Sequence, residues 1–343
     1  MQYTPNNPLD PKERLRADLP PEANSTASSC PSSEGIVITE CGFGLIYVNG
    51  EDADEFLQSQ LTCDISALTL NQSTYSGWCN PKGRLLTTFM VLRSPLGFIL
   101  LLPSNNIDPV TSRLKMYILR AKVSVEKAPQ TIEVVELCGG QLIHNIKLLV
   151  DTLDSKCGIT LHNYPNNQER ALIIGEAKSL KTLRAELDQP VLAADENHHH
   201  WLNIRHGIPE ISITTSELFV PQEVNLDLLD GVSFTKGCYP GQEIVARMRY
   251  RGKLKRRMFS GHIDISSLQP EDYPSAGDTL RATDGDQQKV GTLVATACTL
   301  NKGMDVLAVL PAQSEPGSRF SLSNRENQMI TLHTLPYSIG QES

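Results

Sequence analysis

Long apolar stretches are absent from this sequence of 343 residues. A membrane-spanning helix needs roughly 18 consecutive apolar residues, whereas residues 98–102 form an apolar run with only the length of a buried strand. Residues 1–34 lack the apolar core of a secretory signal, and their acidic side chains argue against a transit peptide. They are rich in Pro, Ser and Asn and predict a disordered tail. We therefore expect a soluble cytoplasmic protein that does not engage a membrane.

The sequence also has no closely spaced pair of cysteines. Its eight cysteines are scattered along the chain, at Cys30, Cys41, Cys63, Cys79, Cys138, Cys157, Cys238 and Cys298. A disulfide framework, a zinc site or an iron–sulfur site made by this chain alone would need such pairs. The pattern therefore predicts reduced thiols and no resident metal ion.

Positive charge is scarce overall, because the formal net charge of the chain is −8. It is concentrated in residues 236–257, which carry eight lysine and arginine residues against Glu243 alone, so the rest of the chain carries −15. This segregation indicates a site for an anionic partner. Cationic residues occupy every second position from Arg247 to Lys255, and an extended backbone would place them on one face as a cationic stripe. A charged edge that prevents strand pairing is the alternative.

The cationic segment begins with KGCYPGQE, residues 236–243, in which Cys238 stands between two glycines and close to Lys236. A cysteine acts as a nucleophile or metal ligand only as the thiolate, which nearby cations and helix N-termini favour. Lys236 and Arg247 supply positive charge, and Pro240 suits the first turn of a helix. We predict that Cys238 is reactive and that Lys236 assists it; a buried structural cysteine in a Gly/Pro turn is the alternative.

Hydrophobic periodicity along the chain predicts a mixture of helices and strands. We predict a strand–turn–strand unit at 35–48, a hairpin of strands 85–92 and 98–103, strands at 131–137 and 170–175, and helices at 52–61, 107–118, 141–153 and 178–187. After residue 255, six short β-rich runs separated by Gly, Pro and Asp predict a small antiparallel barrel. The predicted fold class is therefore α+β with a C-terminal β-barrel, rather than a doubly wound sheet.

Several segments together resemble the YgfZ family, folate-binding relatives of the glycine-cleavage T-protein, an aminomethyltransferase. Besides residues 236–247 they are Gly50–Ala53 with Phe56–Gln58, Trp78–Arg84, Trp201–Ile204 with Gly207–Pro209, Phe219–Gln222 with Asn225–Leu226, and Leu335–Ser338. The resemblance extends over about residues 35–339. It implies two interleaved α+β subdomains over residues 35–252 and a C-terminal barrel over residues 253–339. It also implies a central opening that binds tetrahydrofolate or a polyglutamylated folate.

The resemblance further implies which residues contact the folate. Trp201 resembles the family's folate-contacting tryptophan, and Phe43 stands where some members have another tryptophan. Gln242, Glu243 and Arg247 are expected at the same site, with Arg247 near the anionic glutamate tail. Membership of the apolar core is the alternative for both aromatic residues.

Two departures from the T-protein pattern bear on the chemistry. T-protein has an aspartate where this chain has Thr88, and a hydroxyl cannot carry the negative charge that stabilises a cationic methylene-amine. T-protein also presents a glutamate to the pterin where this chain has Arg205, a side chain that only donates hydrogen bonds. Aminomethyl transfer is therefore an alternative rather than the leading prediction.

The leading prediction is an accessory protein for the assembly or repair of iron–sulfur enzymes, including enzymes that modify tRNA. Cys238 is hypothesised to ligate an iron–sulfur cluster transiently. Because a cluster normally uses four thiolates, a partner protein or a small thiol must complete the ligand set. A protein that binds tRNA directly through the cationic stripe is a further alternative.

Three other groups of polar residues are given mainly structural interpretations. His198–His200 are predicted to form a polar loop rather than a metal site, because three adjacent histidines cannot all face one ion and no acid stands at ligand spacing. Asp227 and Asp230 are predicted to lie at helix ends or turns. Lys82 is predicted either to belong to a turn or to face the central opening.

Overall fold

The computed structural model describes residues 35–38, 41–152, 158–186, 191–250, 254–282, 289–299, 302–323 and 325–339. The predicted disordered tail, residues 1–34, lies outside the described residues. Within the described ranges, no helix is both long and apolar enough to cross a membrane.

Two five-stranded sheets and a closed barrel make up the fold. The strands are β1 (Gly35–Ile38), β2 (Phe43–Asn49), β3 (Ser73–Cys79), β4 (Leu85–Ser94), β5 (Gly97–Pro103), β6 (Ser124–Lys127), β7 (Ile132–Cys138), β8 (Thr160–Tyr164), β9 (Asn167–Glu176), β10 (Val191–Ala194), β11 (Arg256–Asp264), β12 (Thr279–Ala282), β13 (Lys289–Cys298), β14 (Gly303–Pro311), β15 (Arg319–Leu322) and β16 (Arg325–His333). The helices are α1 (Ala53–Gln60), α2 (Ile107–Lys115), α3 (Gly140–Thr152), α4 (Ala177–Ala185), α5 (Glu196–His206) and α6 (Gln242–Tyr250). The predicted helices at 52–61, 107–118, 141–153 and 178–187 are thereby confirmed.

The first sheet has the strand order β3-β4-β5-β2-β6 and is antiparallel. Its β4–β5 pair is the predicted hairpin. Side chains of β5 alternate between two cores: Phe98 and Leu100 pack with α1 and α2, while Leu101 packs toward the centre of the molecule. Because both faces of β5 are covered, its sequence is apolar throughout.

The second sheet has the order β10-β1-β7-β9-β8 and interleaves with the first along the chain. The expected strands at residues 35–48 exist, but β1 and β2 do not pair with each other. Instead β1 lies between β10 and β7 in the second sheet, and β2 joins β5 and β6 in the first. Ile36 and Val37 are both buried, so β1 needs cover on both faces and takes a central position. The two strands predicted at residues 35–48 are therefore confirmed, and they belong to different sheets.

The C-terminal barrel closes in the order β11-β14-β13-β12-β15-β16. All six β-rich runs predicted after residue 255 are strands of this barrel, so the predicted α+β fold class with a C-terminal barrel is confirmed. Closure leaves none of the described barrel strands with an unpaired edge. The predicted domain boundary at residue 252 lies outside the described residues and stays a prediction.

The predicted cationic stripe is wrong in the part of the chain that the structure describes. Residues 242–250 form α6 rather than a strand, and residues 251–253 lie outside the described residues. Consecutive helical residues are separated by 100°, so Arg247 and Arg249 lie on different faces. The helix forms because Gly241 and Pro240 precede it and Val245 is buried on its inner face.

Candidate functional site

The KGCYPGQE segment is a surface loop that leads into α6. Cys238 is exposed in this loop, just before α6 begins at Gln242. The helix start predicted after the cysteine is therefore confirmed. The thiol is accessible to a partner, and the alternative of a buried structural cysteine does not hold.

The ammonium group of Lys236 is engaged by the backbone that follows α1. Its Nζ donates to the carbonyl oxygens of Leu61 at 2.8 Å and Cys63 at 2.6 Å. Burial lowers the pKa of Lys236 to about 8, while the two carbonyl oxygens stabilise the charged form. Lys236 therefore anchors the loop to the end of α1, and its predicted assistance to Cys238 stays a prediction.

Gly241 fixes the other end of the loop against the turn of residues 80–84. It has φ +80°, and a Cβ here would lie 2.5 Å from the carbonyl oxygen of Asn80. Asn80 Oδ1 in turn accepts hydrogen bonds from the backbone nitrogens of Lys82 (2.9 Å) and Arg84 (3.0 Å). Lys82 thus belongs to a turn, with its side chain exposed. Two segments far apart in sequence are packed together where only glycine fits.

A third segment, residues 219–226, holds α6 and the barrel in place. Gln222 Nε2 donates to the carbonyl oxygen of Val245 in α6 at 2.6 Å. Glu223 pairs with Arg256 of β11 at 2.6 Å. Segments that resemble the family signature therefore surround the Cys238 loop.

Part of the positive charge of the cationic segment is neutralised inside the protein. Arg256 pairs with Glu223, and Arg257 pairs with Asp227 at 2.7 Å, both side chains being nearly buried. Asp227 is therefore a structural partner of Arg257, consistent with its predicted structural role. Arg247 and Arg249 are exposed on α6, so an anionic partner would meet fewer cations than the sequence predicted.

Cys238 differs from the other free thiols of the described chain. Burial raises the pKa of Cys41 and Cys79 to about 12 and that of Cys63 to about 11, and Cys298 is partly buried. Cys138 is disulfide-bonded, so the expectation of reduced thiols was wrong for it.

A cavity lies between the two sheets. Strands β2–β5, β8, α5 and residues 208–210 line it, and its volume is about 30 Å³. A larger groove of about 590 Å³ is lined by residues 41–45, by residues 127–134 and by Ile107 at the start of α2. Phe43 lines both spaces. The predicted contacts Gln242, Glu243 and Arg247 line neither of them.

The two predicted folate-contacting aromatic residues are in different surroundings. Phe43 faces the cavity, and its ring contacts the ring of His199 edge-on at 4.7 Å between centroids. The indole Nε1 of Trp201 instead donates to Asp305 Oδ2 of the barrel strand β14 at 3.0 Å. Arg205 lies over the same indole ring at 5.8 Å. The structure therefore brings Phe43 together with His199 rather than with Trp201.

A buried cluster of charged side chains lies next to the cavity and reaches it through Glu210. Arg170 of β9 pairs with Glu136 of β7 at 2.5 Å, and the other carboxylate oxygen of Glu136 lies 2.5 Å from His199 Nδ1. His199 Nε2 lies 3.0 Å from Glu210 Oε1, and His200 Nδ1 lies 2.8 Å from Glu210 Oε2. Arg170, Glu136 and His199 are completely buried. The cluster joins the second sheet to α5 and to residue 210.

The ionisation of this cluster is set by its own charges. Burial favours the neutral forms, but the carboxylates of Glu210 and Glu136 raise the pKa of His199 to about 9. The pKa of Glu136 falls to about 2 despite burial, because Arg170 and His199 are adjacent. Glu210 likewise has a pKa well below its usual value. At neutral pH Arg170 and His199 therefore face the ionised Glu136 and Glu210, and the hydrogen bond to Glu210 raises the pKa of His200 despite burial.

The predicted polar loop at residues 198–200 was wrong, because these histidines lie on α5. Asp195 caps the helix by accepting from the backbone nitrogen of His198 at 3.2 Å, and Gly207 ends it with φ +65°. The fold brings Glu210 next to the histidines. The possible ligand atoms of His199, His200 and Glu210 lie within 4.8 Å of one another, close enough to hold a metal ion. Each of these side chains already has a hydrogen-bond partner, and ion pairing accounts for the group.

Thr88 lies on β4 in the wall of the same cavity. Its Oγ1 donates to the carbonyl oxygen of Pro209 at 3.0 Å and accepts from the backbone nitrogen of Ile211 at 3.0 Å. The threonine that replaces the T-protein aspartate therefore holds the residues on either side of Glu210. Sequence reasoning missed Glu136, Arg170 and Glu210, because no local pattern connects them.

Known proteins resemble this chain over nearly its whole length. The tRNA-modifying protein YgfZ of Photobacterium profundum is 30% identical over 305 residues, which cover 88% of this chain and 91% of that protein. The chain belongs to the YgfZ family. The YgfZ protein of Edwardsiella ictaluri is 32% identical over 306 residues, covering 87% of this chain and 91% of that protein.

The fold of this YgfZ family member is shared with T-protein. The family model described as the GCVT N-terminal domain matches residues 34–157. The glycine cleavage system aminomethyltransferase T of Bartonella henselae superposes with a TM-score of 0.68, over 90% of this chain and 87% of that one. With 17% sequence identity, this likeness concerns the fold alone.

Proposed function

We propose that this protein is a cytoplasmic, folate-binding accessory protein of tRNA modification, which supports iron–sulfur enzymes or their assembly factors. Its relatives are named tRNA-modifying proteins. The observation that carries the proposal is the Cys238 loop: an exposed thiol is presented by a backbone fixed at Lys236 and at Gly241. A thiol in this position can reach a partner that a buried cysteine cannot.

The residues around the cavity and groove fit a folate in chemical type. A pterin ring needs apolar walls and hydrogen-bond partners, and Phe43, Tyr164 and Glu210 provide these in the cavity. The hydroxyl of Tyr164 is buried and has no hydrogen-bond partner among the described residues, which leaves a donor for a ligand. Lys127 lines the groove, and its ammonium group would have to leave an exposed ion pair with Asp108, 2.6 Å long, to meet the anionic tail. When bound, tetrahydrofolate would supply a carrier for one-carbon units.

The volumes of the cavity and the groove indicate that a side chain has to move when a folate binds. The cavity of about 30 Å³ has room for only one or two water molecules, whereas the groove of about 590 Å³ lies in the range of small-molecule sites. Phe43 lines both, so a rotation of its ring would connect them. Under the proposal, residues 35–252 bind the folate, and residues 253–339 form the barrel that holds Trp201 through Asp305.

Aminomethyl transfer is not proposed, because the hydroxyl of Thr88 is already used by the backbone of residues 209 and 211. A side chain held in this way and without charge cannot stabilise a cationic methylene-amine. The T-protein fold is therefore proposed to bind folate here without that transfer step.

Titration with tetrahydrofolate under anaerobic conditions tests the folate part of the proposal. We expect saturable quenching of tryptophan fluorescence in the wild type, and weaker binding in Phe43→Ala. Trp201→Phe tests whether the indole contributes as the family resemblance implies, with Trp78 remaining as fluorophore. Absence of binding to the wild-type protein would overturn the proposed folate site.

Complementation of a strain that lacks the protein tests the role of Cys238. We expect the Cys238→Ser variant to restore less of the tRNA modification made by iron–sulfur enzymes than wild type does. Cys298→Ser is the matched control, since this thiol is partly buried and outside the loop. Full restoration by Cys238→Ser at equal protein level would remove the thiol from the proposed function.

A further inference from the structure

Phe234, Arg249 and Tyr250 form a stacked group beside the Cys238 loop, called here the aromatic platform. The guanidinium carbon of Arg249 lies 4.4 Å from the centre of the Phe234 ring. The ring of Tyr250 meets the same phenyl ring edge-on, at 6.4 Å between centroids. Phe234 precedes Cys238 by four residues, whereas Arg249 and Tyr250 end α6. The fold therefore places two aromatic rings and a flat cation together at the end of this helix.

One side of the platform packs on the protein core, and the other side faces solvent. Phe234 is partly buried and packs against the central apolar core, so the position of its ring is fixed. Tyr250 is 66% exposed, and Arg249 is exposed as well. A guanidinium that lies flat over one ring has a second face, which can stack on the ring of a ligand.

The positive charge of α6 is available to an anion. Arg247 and Arg249 are exposed, and neither pairs with a carboxylate among the described residues. The two arginines that begin β11 differ, because acids of the preceding segment neutralise them. Glu243 is the single acid of α6. Two free cations give only a weak attraction to a chain of phosphates, so tight binding of such a ligand requires stacking as well.

A ligand that combines flat rings with negative charge suits this surface. Proteins bind single-stranded nucleic acid by stacking its bases on aromatic rings and guanidinium groups, with further cations at the phosphates. An acidic protein would offer carboxylates, which bind the N–H edge of a guanidinium rather than its flat face. In a double helix the bases are stacked on one another, so a side chain cannot stack on them. The chemistry of the platform therefore favours an unpaired stretch of RNA.

We propose that the aromatic platform binds an unpaired base of RNA, with a neighbouring phosphate at Arg247. This inference rests on the proposed function in tRNA modification and adds a site of RNA contact to it. The nine residues of α6 give a helix about 13 Å long. The platform lies at its end, and the exposed Cys238 lies just before its start. A complex of tRNA with a modifying enzyme is large enough to contact both.

Fluorescence anisotropy of three labelled probes tests this inference in the full-length protein. The probes are an oligo(U) of about 12 nucleotides, an abasic oligomer of the same length, and poly-L-glutamate of similar charge. All three carry negative charge, but only oligo(U) has bases. We expect the wild type to bind oligo(U) at least about five-fold more tightly than either of the other probes, because stacking on the platform requires a base.

Variants of the platform separate stacking from charge. Tyr250→Ala should weaken oligo(U) binding about 5- to 100-fold without changing its dependence on salt, whereas Tyr250→Phe keeps the ring and should stay within about two-fold of wild type. Arg249→Lys keeps the charge without the flat guanidinium, so it should weaken binding of oligo(U) but not of the abasic oligomer. Arg184→Lys, at an exposed arginine in the last turn of α4, is the matched control and should leave all affinities unchanged.

Three outcomes would overturn the inference. Equal affinity of the wild type for all three probes would show that the surface responds to charge alone, as it would toward an acidic protein. Wild-type affinity of Tyr250→Ala and Arg249→Lys for oligo(U), with only their stability in urea reduced, would show that the group merely joins the loop to α6. The third is absence of oligo(U) binding by the wild type. Failure of the proposed function would appear instead in the tetrahydrofolate titration and in the Cys238 complementation, which do not depend on RNA binding at the platform.

Discussion

The Cys238 loop and the buried charge cluster are held in place by different forces. The loop depends on backbone geometry: Gly241 packs against the turn at Asn80, and Lys236 donates to two carbonyl oxygens. The cluster depends on opposite charges without access to water, since Glu136 and His199 are completely buried. Changes of side-chain size should therefore disturb the Cys238 loop, whereas changes of charge or pH should disturb the cluster.

This difference suits the two proposed roles. An exposed thiol must be presented to a large partner, and a rigid backbone does this without placing charge in the protein interior. A small polar ring bound inside the protein instead needs charged groups that are already oriented, because a buried carboxylate is stable only when other charges balance it. The comparison predicts separate responses of the two regions to mutation and pH.

Removal of one charge from the cluster should have the largest effect. Arg170→Met leaves Glu136 without its main partner in a dry environment, and breaking a buried ion pair costs about 3–5 kcal/mol of unfolding free energy. Urea denaturation at pH 7 measures the change. Lys122→Met is the control, because its pair with Glu51 is exposed and is worth about 1 kcal/mol or less. Equal small losses for both variants would contradict the distinction between the two regions.

The cluster should also make the protein less stable at alkaline pH. The pKa of His199 is raised to about 9 in the folded state from about 6.5 in an unfolded chain. Its stabilising contribution is therefore complete below about pH 6.5 and is lost as the pH rises through about 9. The loss is on the order of 3 kcal/mol and is measured by denaturation between pH 6.5 and 9.5.

The His199→Gln variant isolates this contribution. It should be less stable than wild type at pH 6.5, and the difference should shrink as the pH rises. Lys236 has a lowered pKa of about 8, so its contribution makes the protein more stable as the pH rises. This contribution is the same in both proteins and cancels in the difference between their unfolding free energies. A difference that is constant with pH would show that His199 is not protonated in the folded protein.

The stability of the Cys238 loop should depend on the size of its side chains rather than on their charge. Gly241→Ala places a Cβ 2.5 Å from the carbonyl oxygen of Asn80 at a φ of +80°, and we expect a loss of about 1–3 kcal/mol. Gly237→Ala is a close control, because a Cβ there meets no atom within 4 Å. Denaturation and the rate at which Cys238 reacts with a thiol reagent measure the effect. Similar values for both variants would show that the loop does not need Gly241.

Much of the loop could be predicted from the sequence because its determinants are local. Glycines, a proline and a buried Val245 stand within a few residues of Cys238, and they specify a turn followed by a helix. The six barrel strands were predictable for the same reason, since short apolar runs alternate with turn residues. The predicted cationic stripe is wrong because burial of Val245 on one helix face outweighs the alternation of charge in the same segment.

The cluster could not be predicted because its members meet only through the fold. Glu136 and Arg170 lie on neighbouring strands of the second sheet, and His199 reaches them from α5. Their separation in sequence carries no period and no motif. For a related reason the residues of β1 and β2 do not show which sheet each strand joins, since pairing partners far along the chain decide this.

His262 lies at a partly exposed site, and its pH-dependent contribution to stability should be smaller than that of the buried His199. The hydrogen bond from His262 Nδ1 to Asp305 Oδ1, 2.7 Å long, raises the pKa of His262. Its contribution is therefore present below about pH 6.5 and is lost at higher pH. Because the side chain is 37% exposed, solvent limits the effect to less than about 1 kcal/mol. Denaturation of His262→Gln at pH 6 and 8 measures it. A pH-dependent loss as large as that of His199→Gln would show that burial does not distinguish the two sites.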